Sequence, residues 1–147
     1  MSLFFDGKQG NDIYNTQRNL GDFAYFGFNY GTNTLDAWTP SNANSNIPAL
    51  STLNSNNELQ SSSYFVEDGS YFRLKTITLG YSFDQALVKK FGMGNLRFYF
   101  AGQNLFSFTS FTGFDYEVAG LSAGGIGVAG YGIPHYKSVA FGINAKF

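Results

Sequence analysis

The 147-residue chain carries a formal net charge of −1, and its 17 Phe, 10 Tyr and 1 Trp outnumber Ile, Leu and Val combined. Gly, Asn and Ser make up nearly a third of the chain and charged residues only 13%, a balance that disfavours a helical bundle. The absence of cysteine excludes a disulfide framework, a thiolate metal site and a cysteine nucleophile, the scattered Lys and Arg leave no electrostatic footprint for nucleic acid, and no apolar run approaches the ~20 residues of a spanning helix.

The chain opens Met1-Ser2-Leu3-Phe4-Phe5-Asp6, with no basic n-region and no small-residue cleavage site. Either the protein stays in the cytoplasm or this is a piece of something longer. Residues 2–6 read as the tail of a strand. Residues 7–67 read as a long loop, of the size that is usually functional or disordered. A short helix is expected around Tyr14–Phe28, followed by Trp38-Thr39-Pro40 and a Ser/Asn-rich run over 41–63 that reads as irregular surface. The acids here, Asp12, Asp22, Asp36, Glu58, Glu67 and Asp68, outnumber Lys8 and Arg18, so this side is mildly acidic.

A strand is expected over 70–83. Ile77, Leu79, Tyr81 and Phe83 alternate with Thr76, Thr78, Gly80 and Ser82, but the phase flips upstream, where Phe72 and Leu74 are apolar and Arg73 and Lys75 polar. That flip predicts a β-bulge near Lys75–Ile77 or a change of exposure along the strand. Residues 84–95 form a short connection with room for one helical turn over Ala86–Phe91 before its glycines end it. A second dyad over 96–108 sets Leu96, Phe98 and Phe100 against Arg97, Tyr99 and Ala101.

The link 109–135 is longer and contains Ala123-Gly124-Gly125-Ile126-Gly127, which lacks the Lys-Ser/Thr of a phosphate cradle and reads as a flexible loop. The last strand, 136–147, places Val139, Phe141, Ile143, Ala145 and Phe147 on one face and Ser138, Ala140, Gly142, Asn144 and Lys146 on the other. A strand of 13 residues is about 43 Å long, against a usual ~5–6 residues in soluble sheets. Crossing an apolar band ~25 Å tall needs only about 10 residues. Aromatic residues collect near the strand ends, as interfacial girdles require.

The fold class predicted is therefore all-β, an antiparallel transmembrane β-barrel segment with long loops. Barrels of this kind have short periplasmic turns and long extracellular loops, which makes 84–95 periplasmic and 7–67 and 109–135 extracellular. The terminal Phe147, with Val139, Phe141, Ile143 and Ala145 upstream, reads as a signal for the barrel-assembly machinery. Asp115 and Glu117 lack a third acid or a partner base, so loop structuring through backbone amides is favoured over catalysis or a calcium site. His135, the single histidine, reads as a surface residue beside Pro134. Arg73, Lys75, Arg97 and Lys146 fall on polar faces, as lumen-lining or salt-bridging residues. Trp38, Tyr14, Tyr25 and Tyr30 suit either sugar stacking or packing of the loop. No cofactor, metal or enzymatic activity is expected.

Several strings occur in register: Gly10-Asn11-Asp12-Ile13-Tyr14-Asn15, Trp38-Thr39-Pro40, Val66-Glu67-Asp68-Gly69-Ser70-Tyr71-Phe72-Arg73-Leu74-Lys75-Thr76-Ile77-Thr78-Leu79-Gly80-Tyr81, Leu96-Arg97-Phe98-Tyr99, Gly102-Gln103-Asn104-Leu105-Phe106, Gly113-Phe114-Asp115-Tyr116-Glu117-Val118, and a final strand ending in Phe. Over essentially the whole chain this order resembles the C-terminal end of the SusC/RagA family of TonB-linked outer-membrane transporters of Bacteroidetes. It departs from the family's acidic motif at Tyr116, where Pro is common. The resemblance implies the last about four strands of a barrel of roughly 22 closed around a plug. It also implies import of glycans or other oligomeric nutrients such as peptides, energy from the TonB complex through N-terminal parts, and a SusD-like surface lipoprotein as lid. Asp115, Glu117, Trp38, Tyr14 and Tyr25 become candidate ligand or lid contacts. The alternatives from the residues alone are a self-contained small outer-membrane barrel or adhesin and a soluble carbohydrate-binding β-sandwich.

Overall fold

A computed structural model describes residues 1–23, 29–51, 53, 57–117 and 127–147. Its strands are β1 (Ser2–Lys8), β2 (Asp12–Asn15), β3 (Val66–Asp68), β4 (Tyr71–Ser82), β5 (Asn95–Thr109), β6 (Val128–Ala129) and β7 (Ser138–Lys146), with short helices α1 (Gln17–Gly21) and α2 (Gln85–Val88). The chain divides into two units, one of Met1–Gly10, Ser70–Ser110 and Pro134–Phe147, the other of Asn11–Gly69 and Phe111–Ile133.

The first unit is an open four-stranded antiparallel sheet in the order β1-β4-β5-β7. Two register shifts cross it at one level. Phe4 pairs with Thr76 and Phe5 with Leu74, so Lys75 is an extra residue in β4 relative to β1. On the other side Leu74 pairs with Phe106 and Thr76 with Gln103, leaving the extra residue in β5, where Asn104 takes a left-handed φ of 52°. Asparagine tolerates that conformation because its short amide bonds locally; here its Nδ2 donates to the Tyr136 carbonyl at 3.2 Å. These bulges explain the phase flip in the sequence. With Lys75 set aside, Phe72 and Leu74 fall on the same face as Ile77, Leu79 and Tyr81.

Between β4 and β5 the Asp84 carboxylate caps α2 by accepting the Ala86 N–H at 2.8 Å. The helix runs on as a 3-10 turn, Lys89–Phe91, and ends at Gly92 with φ 74°, the left-handed position glycine adopts without steric cost.

The second unit corrects the expectation for 7–67. β1 extends to Lys8, and residues 12–15, expected to be loop and helix start, form the central strand of a small sheet β3-β2-β6, antiparallel to β3 and parallel to β6. The helix is confined to Gln17–Gly21, and residues 24–28 of the expected helix lie outside the described residues. The strand forms because Ile13 is buried with Phe111 and Ala129, with Tyr116 packed beside them. Burying Ile13 and Phe111 side chains contributes on the order of 1.5–3 kcal/mol each. Phe65 is fully buried against the rings of Tyr14, Phe23 and Tyr64, at centroid distances of 5.7, 5.9 and 5.2 Å.

Candidate functional site: a two-faced sheet and a polar loop node

Register sorts the side chains of the four-stranded sheet by chemistry. One face carries Leu3 and Phe5 from β1, Phe72 to Tyr81 in alternation from β4, Phe98, Phe100, Phe106 and Phe108 from β5, and Val139, Phe141 and Ile143 from β7. Phe141 is 79% exposed and Ile143 63%. An apolar surface this continuous is far outside what a monomeric soluble protein exposes. The opposite face holds Asp6, Lys8, Arg73, Arg97 and Lys146 among Ser, Thr, Asn, Gln, Gly and Ala, with Phe4, Tyr71 and Tyr99 as its aromatic side chains, and the bulged Lys75 also reaches Asp6.

Aromatic contacts mark both ends of the apolar face. Phe5 stacks on Phe72 at 5.5 Å, while at the other end Phe83 meets Tyr81 at 4.9 Å and Phe98 at 5.5 Å. From Phe72 to Tyr81 the strand rises about 30 Å at ~3.3 Å per residue, which a tilt near 40° reduces to about 23 Å, the height of a barrel's apolar band. On the polar face the Asp6 carboxylate accepts from Arg73 Nη2 at 3.3 Å, Tyr71 Oη at 3.4 Å and Lys75 Nζ at 3.5 Å. Arg73 is buried and Asp6 half-buried, so this cluster fixes β1 to β4 where water cannot fully screen the charges.

The second unit is organised by Glu67. Its Oε1 accepts from Thr112 Oγ1 at 2.8 Å, Asn15 Nδ2 at 3.0 Å and Arg18 Nη1 at 3.5 Å, and its Oε2 accepts the Thr112 N–H at 2.8 Å. Arg18 extends the network: its Nε bonds Asp22 at 2.7 Å, its Nη1 the Tyr64 carbonyl at 3.0 Å, and its guanidinium lies 4.3 Å over the Tyr64 ring. The buried Asp22 also accepts from Asn33 at 2.6 Å and from the Tyr64 hydroxyl at 3.0 Å. Burial, and then the Asp22 carboxylate, push the Tyr64 phenol up to about 12. Burial opposes the charge on Arg18, but Asp22, Tyr64 and Glu67 together outweigh it and the guanidinium is held more firmly protonated than usual. Asp22 and Glu67, expected to lend the loop an acidic character, are internal ligands of the loop. Single polar residues so far apart carry no periodic signal that would have revealed them.

No family model matches the chain. Along its full length it is 33% identical to the TonB-dependent receptor P3 of Formosa agariphila, and over 99% of its length 32% identical to the TonB-dependent receptor P26 of the same organism. The chain belongs to the SusC/RagA-type TonB-dependent receptors. It spans about 15% of the length of those curated relatives. Among solved structures it matches the RagAB peptide transporter with a TM-score of 0.73 at 26% identity, covering 99% of this chain and 15% of that one, and the RagAB peptide importer in its open-open state equally well.

Within this piece of a TonB-dependent receptor the other sequence candidates are placed as follows. Val139, Phe141, Ile143 and Ala145 share the apolar face of β7, and Phe147 follows the strand, almost fully exposed. Trp38 is 42% exposed on a loop closed by Asn42 and Ser45 side chains donating to Asp36. Tyr14 packs on Phe65, and Tyr25 lies outside the described residues. The Asp115 carboxylate accepts the Glu117 N–H at 2.8 Å, the geometry of a side-chain-capped turn. Tyr116, where the family resemblance departs, packs against Ile13, Phe111 and Ala129. His135 is exposed, residues 124–126 of the glycine run lie outside the described residues, and among the described residues no three His, Cys, Asp or Glu side chains converge as a metal site.

Proposed function

We propose that this chain forms the C-terminal, barrel-closing segment of a TonB-dependent transporter in the bacterial outer membrane, adding about four strands to a barrel of roughly 22 closed around a plug. The observation that carries the reading is the sorting of chemistry across four paired strands, with apolar side chains on one face and charges on the other. In this reading the apolar face meets lipid, residues 84–95 turn in the periplasm, and 7–67 and 109–135 shape the extracellular mouth. Val139, Phe141, Ile143, Ala145 and Phe147 then serve as the signal taken by the barrel-assembly machinery. A self-contained small barrel or a soluble sandwich is disfavoured by full-length similarity to proteins of which this chain covers 15%.

The role is transport, not catalysis. The complete protein imports oligomeric nutrients, glycans being the expected class, beneath a SusD-like lipoprotein and with energy from TonB through parts outside this chain. Trp38, Tyr14, Tyr25, Asp115 and Glu117 are the proposed ligand or lid contacts. Peptide is the second reading, favoured by the likeness to RagAB, described as a peptide importer. Deleting the gene for the complete receptor should abolish growth on one of these polymer classes, with growth restored by the intact gene. Unimpaired growth on every glycan and peptide tested would sink the import reading, and a peptide-only defect would replace glycan by peptide.

A further inference from the structure

The connection between β4 and β5 pairs apolar and basic side chains in a way that a turn in water has no use for. Val88 is buried and holds the turn in place, whereas Leu87 and Phe91 are 53% and 76% exposed. Lys89 and Lys90 sit between them, also exposed. The one acid in the segment, Asp84, is engaged in capping α2. The turn begins at Asp84, the residue after Phe83 of the Tyr81–Phe83–Phe98 aromatic cluster, so the chain enters it from the aromatic end of the apolar face. The same end carries Arg97 and Lys146 on the polar face.

Aliphatic and aromatic side chains flanking lysines at the edge of an apolar band match a lipid interface, where rings and methyl groups reach the acyl boundary and ammonium groups the phosphates. We propose that residues 84–94 are an interfacial anchor for an anionic phospholipid surface: Leu87 and Phe91 enter the headgroup–acyl boundary, and Lys89 and Lys90 contact headgroup phosphates. A protein partner would satisfy the apolar pair but would not account for its place in the chain next to the girdle together with two exposed lysines. The inference rests on the reading of the apolar face as lipid-facing, and its test separates the two.

The complete receptor, freed of other reactive cysteines, is spin-labelled at Phe91→Cys or, as reference, at Phe141→Cys and placed in nanodiscs with or without phosphatidylglycerol. Collision with oxygen and with a nickel chelate reports depth. The label at 141 should lie deep, and the label at 91 should lie at the boundary, with more oxygen than nickel contact. Phosphatidylglycerol should draw the label at 91 deeper, and Lys89→Gln with Lys90→Gln should remove that shift while leaving 141 unchanged. A label at 91 open to nickel as in water, or shielded from both reagents by a protein surface, overturns the anchor even with 141 deep. So does a depth at 91 indifferent to phosphatidylglycerol. Nickel access at 141 overturns the lipid-facing reading itself, and the anchor with it.

Discussion

The ring of Tyr99 on β5 lies over Gly142 on β7, its direct cross-strand partner, so closely that a Cβ on Gly142 would collide with the phenol. Gly80 completes the row on the other side of Tyr99, with the Arg97 guanidinium across it. Strands with small polar-face side chains, such as the Ser138, Ala140, Gly142, Asn144 series, define register weakly on that face. A large ring seated in a glycine gap supplies the missing register. Slipping β7 by two residues would bring Ala140 or Asn144 beneath the ring and force it out.

The pair therefore predicts a defect that depends on both members. Gly142→Ala in the complete receptor should cost on the order of 1–3 kcal/mol through overpacking, seen as a lowered urea midpoint and less heat-modifiable, assembled protein. Combining it with Tyr99→Ala removes the collision and should recover part of that loss. Equal defects in the single and double variants would show that the ring is not what excludes a side chain at 142.

The two faces predict opposite responses at neighbouring positions. Phe141→Lys places a charge in the middle of the apolar face and should cost about 2–4 kcal/mol at the bilayer midplane. Ala140→Lys points to the face that already carries Arg97 and Lys146, and should shift the unfolding midpoint little. Reversal of that order would contradict the assignment of the lipid-facing side.

How much of this was legible beforehand depended on length. β7 alternates over nine residues and β5 over fifteen, so period two sorts their faces unaided, and the phase flip at Lys75 points to a bulge or a change of exposure, of which the pairing shows the bulge. β2, β3 and β6 have four, three and two residues, too few for a period to register. They exist because Ile13 meets Phe111 and Ala129 and because Asn15, Glu67 and Thr112 bond one another across long stretches of chain. Such contacts are tertiary in origin, so a Ser/Asn-rich segment read locally looked irregular.

Glu67 is the test of that tertiary origin. Glu67→Gln keeps the shape but loses the charge-assisted bonds to Arg18 and the Thr112 amide, a local loss of about 1.5–3 kcal/mol. Hydrogen exchange should quicken in 12–18 and 111–117, while the β4–β5 ladder keeps its protection. Faster exchange in the ladder as well would mean that Glu67 supports the sheet and not the loop unit alone.

Tyr64 carries the pH dependence of the same network. Its phenol is raised from 10 to about 12 by burial and by Asp22, so the folded loop keeps a proton that the unfolded segment releases. The stabilisation is fully present below about pH 10 and declines as pH rises through about 12. Phenolate absorbance should show one tyrosine titrating about two units late, and exchange at 62–67 should accelerate across that window. Tyr64→Phe, which cannot ionise, should remove both the late titration and the pH-dependent acceleration. An acceleration unchanged in the Phe variant would assign the pH response to another group.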